Sequence, residues 1–322
     1  MIPTAHEQWM KRCIELAQMG LGKVQPNPMV GAVIVCEDEI IGEGYHQQYG
    51  SAHAEINAIN SVKSTSLLKK SIIFVSLEPC SHFGKTPPCA DKLIELGFPK
   101  VVIGATDPHD KVNGKGIEKM KNAGIEVVTG ILESECEELN RRFFTFHLKK
   151  RPYIILKWAE TADGYMDIDR SQPVHNYWIT NEELRVITHK WRGEEDAILI
   201  GYQTYLNDKP QLTNRLFIGK NPKRYMMADL ERKTLGIPDF SLLSNQLKPA
   251  LETLYNDKIQ SVIVEGGRKT LELFIKNNCW DEARVLVGNQ SWGRGLPAPV
   301  LNKSVDNEII INNHCIKFFR NV

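Results

Sequence analysis

The chain has 322 residues, 25% of them charged and 42% apolar, and its 40 basic and 39 acidic residues leave a formal charge of +1. That length predicts two domains of about 150 residues, each large enough to bury a core. Division at Arg151 leaves 17 basic and 18 acidic residues before it and 23 and 21 from there on, so neither half carries the basic excess of a nucleic-acid binder.

Seven cysteines (Cys13, Cys36, Cys80, Cys89, Cys136, Cys279, Cys315) are an odd number without a framework spacing, the pattern of reduced thiols in a cytoplasmic protein. The start, from Met1 to Glu7, has no basic stretch followed by an apolar one, and no apolar run is long enough to span a bilayer. A soluble, unexported protein with no membrane partner is expected.

In chain order, apolar residues at helical spacing (Trp9, Met10, Cys13, Ile14, Leu16, Ala17) predict a helix from Thr4 to Met19, ended by Gly20 and Gly22. Val30 to Cys36 and Glu39 to His46 read as strands of a hairpin turning at Glu37-Asp38. Ala54 to Val62 reads as a helix, Ser71 to Leu77 as a buried strand, Ala90 to Leu96 as a helix and Val101 to Ala105 as a buried strand. Such β-α-β-α-β alternation implies a mixed or parallel sheet with helices on its faces. Gly114 to Ala123 and Ile125 to Val128 continue it. Glu133 to Leu148 is predicted to be one amphipathic helix ending in the basic cap Lys149-Lys150-Arg151, and Pro152 cannot continue it. The domain boundary is placed there.

The second half opens with a strand, Tyr153 to Ala159, and a turn at Asp163-Gly164. Thr180 followed by Glu182-Glu183 predicts a helix start leading to Gly193. Asp196 to Ile200 and Ser261 to Val264 read as buried strands, the second leading through Glu265-Gly266-Gly267 into a helix from Lys269 to Lys276.

The chemistry is concentrated in His53, Glu55, Cys80 and Cys89. A catalytic zinc takes three protein ligands and keeps its fourth position for water. His53, Cys80 and Cys89 supply the right number of the right types. In zinc-dependent nucleobase deaminases the carboxylate two residues after the histidine is not a ligand, and a Pro-Cys pair begins the thiolate segment; Glu55 and Pro79-Cys80 stand in that order. Each residue alone reads more simply as a buried thiol or a core histidine; the combination favours the metal. Two residues normally separate the thiolates. Here eight do, in the run from Ser81 to Pro88.

Pro26-Asn27-Pro28-Met29-Val30-Gly31, His53-Ala54-Glu55 and the run Leu77-Glu78-Pro79-Cys80 through Cys89, with its long loop, resemble the bifunctional riboflavin-biosynthesis deaminase/reductase family, RibD. Lys157-Trp158-Ala159, Asp163-Gly164, Trp178-Ile179-Thr180, Arg185, Asp196-Ala197-Ile198, Pro210-Gln211-Leu212-Thr213, Arg215 and Val264-Glu265-Gly266-Gly267 resemble its reductase half. The resemblance implies an α/β protein: an N-terminal cytidine-deaminase-like α/β/α sandwich over residues 1–150 and a C-terminal dihydrofolate-reductase-like α/β domain over 151–322. It further implies a homo-oligomer, zinc in the first site, NADPH in the second, and a small phosphoribosylaminopyrimidine substrate that loses an amino group by hydrolysis and then has its ribosyl chain reduced to ribityl.

Carried over residue by residue, the resemblance makes Glu55 the general base and acid, and places Asn27, His46, His82, Lys85 and Asp107 around the first substrate. In the second site it offers Asp208 as a catalytic carboxylate, Arg185, Leu212, Arg215 and Glu265 as substrate contacts, and Thr161, Trp178, Thr180, Gly201, Thr204, Gly266 and Gly267 around the cofactor. Without the resemblance the arginines and Lys85 read as solvated surface and the Gly-Gly pair as an ordinary turn. The chain departs from the family's pattern at Thr161-Ala162-Asp163-Gly164-Tyr165, at Asp110-Lys111, and in a short stretch from Leu216 to Val264, which predicts a trimmed strand-helix unit. Two other readings stay open on sequence: a deaminase whose second domain is non-catalytic, against which Asp208, Arg215 and Glu265 speak, and a deaminase-like module recruited to RNA, which the balanced charge disfavours.

Overall fold

The computed structural model describes residues 4–83, 87–109, 112–168, 178–229, 237 and 239–321. The chain divides into two compact units, one ending at Lys150 and the other beginning at Arg151.

The first unit starts with α1 (Ala5–Gln18), where Thr4 Oγ1 accepts the Glu7 amide hydrogen and the Glu7 carboxylate accepts that of Thr4. Two otherwise orphaned donors are thereby satisfied reciprocally. Strands β1 (Gly31–Cys36) and β2 (Glu39–Tyr45) form the expected hairpin. Its turn residues Glu37 and Asp38 have φ of 51° and 61°, the left-handed pair that matches the twist of the flanking strands. Then follow α2 (Ala54–Ser61), β3 (Ile72–Leu77), α3 (Cys89–Leu96), β4 (Lys100–Ala105), α4 (Lys115–Asn122) and β5 (Glu126–Val128). Among the described residues the strands lie in the order β2-β1-β3-β4-β5, with β1 antiparallel to β2 and β3, and β3, β4 and β5 parallel.

The apolar strand runs are explained by burial on both faces. Ala32, Ile34, Ile73, Val75, Val101 and Ile103 meet Ala54, Ala58, Leu93 and Met120 on one side. Their neighbours Val33, Val35, Phe74 and Val102 meet Met10, Cys13 and Cys136 on the other. The single helix predicted from Glu133 to Leu148 is instead α5 (Glu133–Leu139) and α6 (Arg141–Lys149). Buried Asn140 lies between them, its amide making 2.8 Å bonds to both the N–H and the C=O of Met29. That contact across 111 positions overrides local helical periodicity.

The second unit contains β6 (Tyr153–Glu160), β7 (Tyr165–Asp167), α7 (Glu182–Glu194), β8 (Ala197–Gly201), α8 (Tyr202–Asp208), β9 (Lys223–Ala228), β10 (Ser241–Ser244), α9 (Leu247–Asn256), β11 (Ser261–Val264), α10 (Arg268–Lys276), β12 (Glu282–Val287), β13 (Leu296–Pro297), β14 (Asn307–Ile311) and β15 (His314–Arg320). Among the described residues the main sheet runs β10-β9-β8-β11-β6-β12-β15-β14, parallel from β10 to β12 and antiparallel beyond. The chain enters at β6, moves outward through β8, β9 and β10, and returns as β11 between β8 and β6. Such a reversal opens a crevice at the carboxyl ends of the strands.

Two expectations need correction. Asn181, not Thr180, caps α7, its side-chain oxygen accepting the Leu184 amide hydrogen at 3.0 Å. Arg151 is not part of a solvated cap; it forms a two-pronged pair with Asp281 at 2.6 and 2.8 Å. The stretch between Leu216 and Val264 carries β9, β10, α9 and β11.

Candidate active sites

In the first unit His53 is the N-cap of α2, Glu55 lies in that helix's first turn, and Cys89 opens α3. Cys80 follows β3 by three residues. Local sequence thus places each group at a strand end or helix start, and the sheet brings them together. The Cys80 and Cys89 sulfurs lie 3.6 and 3.4 Å from His53 Nδ1, and all three ligand atoms fall within 4.8 Å of one another. Zinc bonds of about 2.3 Å to sulfur and about 2.05 Å to nitrogen at tetrahedral angles put two such donors roughly 3.6 Å apart. The residues fit the metal.

The Cys89 amide hydrogen points at the Cys80 sulfur, 3.3 Å away, as suits a thiolate at a helix start. The hydrogen bond from the Cys89 thiol draws Cys80 down to about 4 despite burial, with His53 helping. Glu55 is buried, and burial raises its carboxyl to about 7 against the pull of His53. A proton carrier working at neutral pH needs such a value.

Around this centre His46 packs edge-on to His53, ring centroids 5.3 Å apart, and its Nε2 lies 3.1 Å from the Asn27 side-chain nitrogen. Asp107 is buried; burial pushes its carboxyl up to about 7, with the charges of Glu78 and Cys80 adding to the rise and the His109 amide opposing it. His82 stacks on His109 at 6.4 Å. Lys85 lies outside the described residues. Glu78, which the sequence analysis treated only as part of a motif, is buried and accepts amide hydrogens from Asp107, Gly114, Gly116 and Ile117 at 2.9 to 3.3 Å. It binds the Asp107 loop and the start of α4 to the segment that carries Cys80.

In the second unit a cavity of about 200 Å³ collects positive charge. Arg185, Arg215, Trp178 and Thr180 line it, as do Lys157, His189 and Arg192. The Arg185 guanidinium sits 4.4 Å from the Trp178 ring centroid. Glu265, at the end of β11, receives two bonds from Arg192 at 2.8 and 2.7 Å and one from Lys157 at 3.5 Å. Burial alone would raise Glu265; Lys157 and Arg192 instead hold it at about 2. His189 is lowered to about 4 by burial and by the charges of Arg192 and Arg215, and its Nδ1 accepts the Arg215 amide hydrogen at 3.1 Å. Sequence reasoning assigned no role to His189 or Arg192. Their signal was present: Arg185, His189 and Arg192 stand at i, i+4 and i+7, one stripe of α7.

The remaining named residues cluster at strand ends. Gly201 ends β8 and begins α8, Gly266 and Gly267 lead from β11 into α10, and Thr161 follows β6. Thr204 Oγ1 accepts the Gly267 amide hydrogen at 2.9 Å. A side chain at Gly201 would run into the Thr270 hydroxyl, so this close approach of β8 to α10 requires glycine. Thr161 is buried and donates to Asp163 at 2.6 Å. Asp208 ends α8, and Leu212 is buried with φ of 53°; neither borders the cavity.

Comparison with known proteins identifies both units. The cytidine and deoxycytidylate deaminase zinc-binding region matches residues 3–105, and the RibD C-terminal domain matches residues 152–297. The riboflavin biosynthesis protein RibD of Aquifex aeolicus is 37% identical over 326 residues, covering 92% of this chain and 90% of that protein. That of Bacillus amyloliquefaciens is 38% identical over 321 residues, covering 88% and 85%. The crystal structure of a diaminohydroxyphosphoribosylaminopyrimidine deaminase/5-amino-6-(5-phosphoribosylamino)uracil reductase from Thermotoga maritima superposes with a TM-score of 0.85 at 36% identity over 98% of both chains. The chain therefore belongs to the RibD family, the bifunctional deaminases and reductases of riboflavin biosynthesis.

Proposed function

We propose that residues 1–150 remove an amino group hydrolytically from diaminohydroxyphosphoribosylaminopyrimidine and that residues 151–322 reduce the ribosyl chain of 5-amino-6-(5-phosphoribosylamino)uracil with NADPH, the two activities that the Thermotoga relative's name carries. The observation that carries the first half is the His53, Cys80 and Cys89 triad with buried Glu55 beside it. Zinc held by these three residues would supply a water acidified toward neutrality. Glu55, poised at about 7, would act as the proton carrier: it would accept a proton as the water oxygen adds to the amine-bearing ring carbon and return it to the amino group that leaves as ammonia when the C–N bond breaks. Asn27, His82, Lys85 and Asp107 are proposed to hold the pyrimidine and its phosphate.

For the second half, hydride chemistry belongs to the cofactor, and the protein supplies placement. The cationic cavity supports binding of a phosphorylated substrate, with Arg185 and Arg215 as the proposed phosphate contacts and Arg192 joining them; Leu212, outside the cavity lining, is a proposed substrate contact on the family likeness alone. Arg192 and Lys157 are both tied to Glu265, which presents a carboxylate and two cations as a preset group. Asp208 is the proposed catalytic carboxylate. Thr161, Trp178, Thr180, Gly201, Thr204, Gly266 and Gly267 are proposed to bound the nicotinamide cofactor. The glycines would admit its pyrophosphate to the start of α10. The family likeness supports a homo-oligomer, the balanced charge of each half supports small-molecule rather than nucleic-acid partners, and the free thiols support a cytoplasmic setting.

The test supplies the diaminopyrimidine to zinc-loaded protein with and without NADPH, following ammonia and cofactor absorbance together. Ammonia release in both, with NADPH oxidised when present, is expected. Ammonia without NADPH consumption would leave only the deaminase half standing.

A further inference from the structure

We propose that His189 is a positioning residue of the second site: its imidazole accepts the backbone N–H of Arg215, fastens that segment to α7, and so sets the Arg215 side chain at the cationic cavity without adding a charge of its own. The inference rests on the reductase reading above and gives a role to a side chain outside the set proposed to touch substrate or cofactor.

His189 lies on α7 between Arg185 and Arg192, is 4% exposed and lines the cavity. The Arg215 amide nitrogen donates to its Nδ1 at 3.1 Å, across 26 positions of sequence. A backbone amide only donates, so Nδ1 is bare and the ring proton of the neutral form sits on Nε2. The same segment is tied down at two neighbouring points. Arg192 Nη1 donates to the Thr213 carbonyl at 3.3 Å, and the Asn214 amide donates to Asn221 Oδ1 at 2.7 Å. Arg192 can serve as a fixed post because its Nε and Nη2 are held by the two oxygens of buried Glu265, at 2.8 and 2.7 Å. Arg215 itself is exposed, as are residues 216–221 after it. Side-chain packing therefore does not place it; the anchored backbone does.

The residue type follows from two demands that conflict. The position needs an acceptor for the Arg215 amide, which excludes lysine and arginine, since both only donate. It also lies in a cationic layer: Arg185 and Arg192 of α7 and Arg215 of the loop face the ring, Glu265 at the end of β11 opposes them, and Lys157 of β6 lines the same cavity. A carboxylate could accept the amide hydrogen, but it would pair with these arginines and cancel the charge offered to an anion. A neutral imidazole meets both demands. Burial and the neighbouring guanidinium charges hold it at about 4, so the acceptor persists through the neutral range, whereas a protonated ring would carry hydrogen on both nitrogens and lose the bond.

The test uses the full-length protein with 5-amino-6-(5-phosphoribosylamino)uracil and NADPH. Long-range proton–nitrogen spectra of ¹⁵N-histidine-labelled wild type at neutral pH are expected to show His189 bare on Nδ1 and protonated on Nε2. His189→Leu is expected to raise KM for the uracil substrate about 10-fold, the cost of one lost hydrogen bond, with kcat and the KM for NADPH within about twofold of wild type. His189→Asn carries an amide oxygen near the place of Nδ1 and is expected to recover most of that loss. In an Arg215→Ala background His189→Leu is expected to add no further rise in KM, because a residue that acts only through Arg215 has nothing left to position. A wild-type ring protonated on Nδ1, a His189→Leu variant with the wild-type KM, an asparagine variant as impaired as the leucine one, or an undiminished effect in the Arg215→Ala background overturns the proposal. If His189→Leu does not fold, the wild-type spectrum and the asparagine variant still decide it. Absence of NADPH oxidation by the wild type would instead refute the reductase reading, while the spectrum still reports the tautomer.

Discussion

Glu55 shows how one residue acquires a role that its type alone does not confer. A surface glutamate is ionised at neutral pH; at the start of α2, buried and facing the metal ligands, it is raised to about 7. On the proposed mechanism, replacing it by glutamine would remove proton transfer while leaving His53, Cys80 and Cys89 in place. Glu55→Gln is expected to retain one zinc per chain by metal analysis and to lower the deamination rate by about 10²- to 10⁴-fold, the usual contribution of a positioned acid-base group. Deamination at the wild-type rate in a zinc-replete sample would refute its role. Glu78 acts through hydrogen bonds alone: it collects four amide hydrogens and fixes the Asp107 loop.

At the scale of elements, α7 and the end of β11 build a charged layer whose acid response can be worked out. His189 is held at about 4, below its ordinary value of about 6.5, so the unfolded chain binds its proton first and stability falls as pH drops from about 6.5 to 4. Glu265 is held at about 2, below an ordinary value of about 4.3. Its contribution is fully present above that ordinary value and is lost as pH falls toward 2. The second unit is therefore expected to weaken with acid in two stages. His189→Gln is expected to flatten only the upper one, because an uncharged side chain does not titrate. Urea unfolding of the full chain at successive pH values, followed by tryptophan fluorescence, measures this. Five of the six tryptophans, Trp158, Trp178, Trp191, Trp280 and Trp292, lie in that unit, so the signal reports on it. An unchanged upper slope in the variant would show that His189 is not the titrating group.

For the molecule as a whole, the two chemistries have separate requirements. Among the described residues the metal-ligating group is confined to His53, Cys80 and Cys89 of the first unit. Chelation of zinc is thus expected to abolish ammonia release and lower the first unit's thermal stability, since metal affinity is coupled to folding. NADPH oxidation with the deaminated intermediate is expected to continue, followed by absorbance on the same sample. Loss of both activities would refute that separation.

Much of this architecture was legible locally. The β1–β2 hairpin, the strands β3, β4, β8 and β11, and the order His53, Glu55, Cys80, Cys89 are written in alternation, turn chemistry and spacing, which act over a few residues. What escaped were effects between distant positions: Asn140 divides α5 from α6 because it bonds to Met29, Arg151 leaves solvent to pair with Asp281, and Arg192 joins the cavity through Glu265, 73 positions away. By itself the sequence determined most of the elements, a candidate metal-ligand set and the family, since propensity and motif spacing are properties of neighbours along the chain. Only the tertiary structure decided which charges are buried together and which helix breaks, because desolvation and hydrogen-bond pairing depend on residues brought together by the fold.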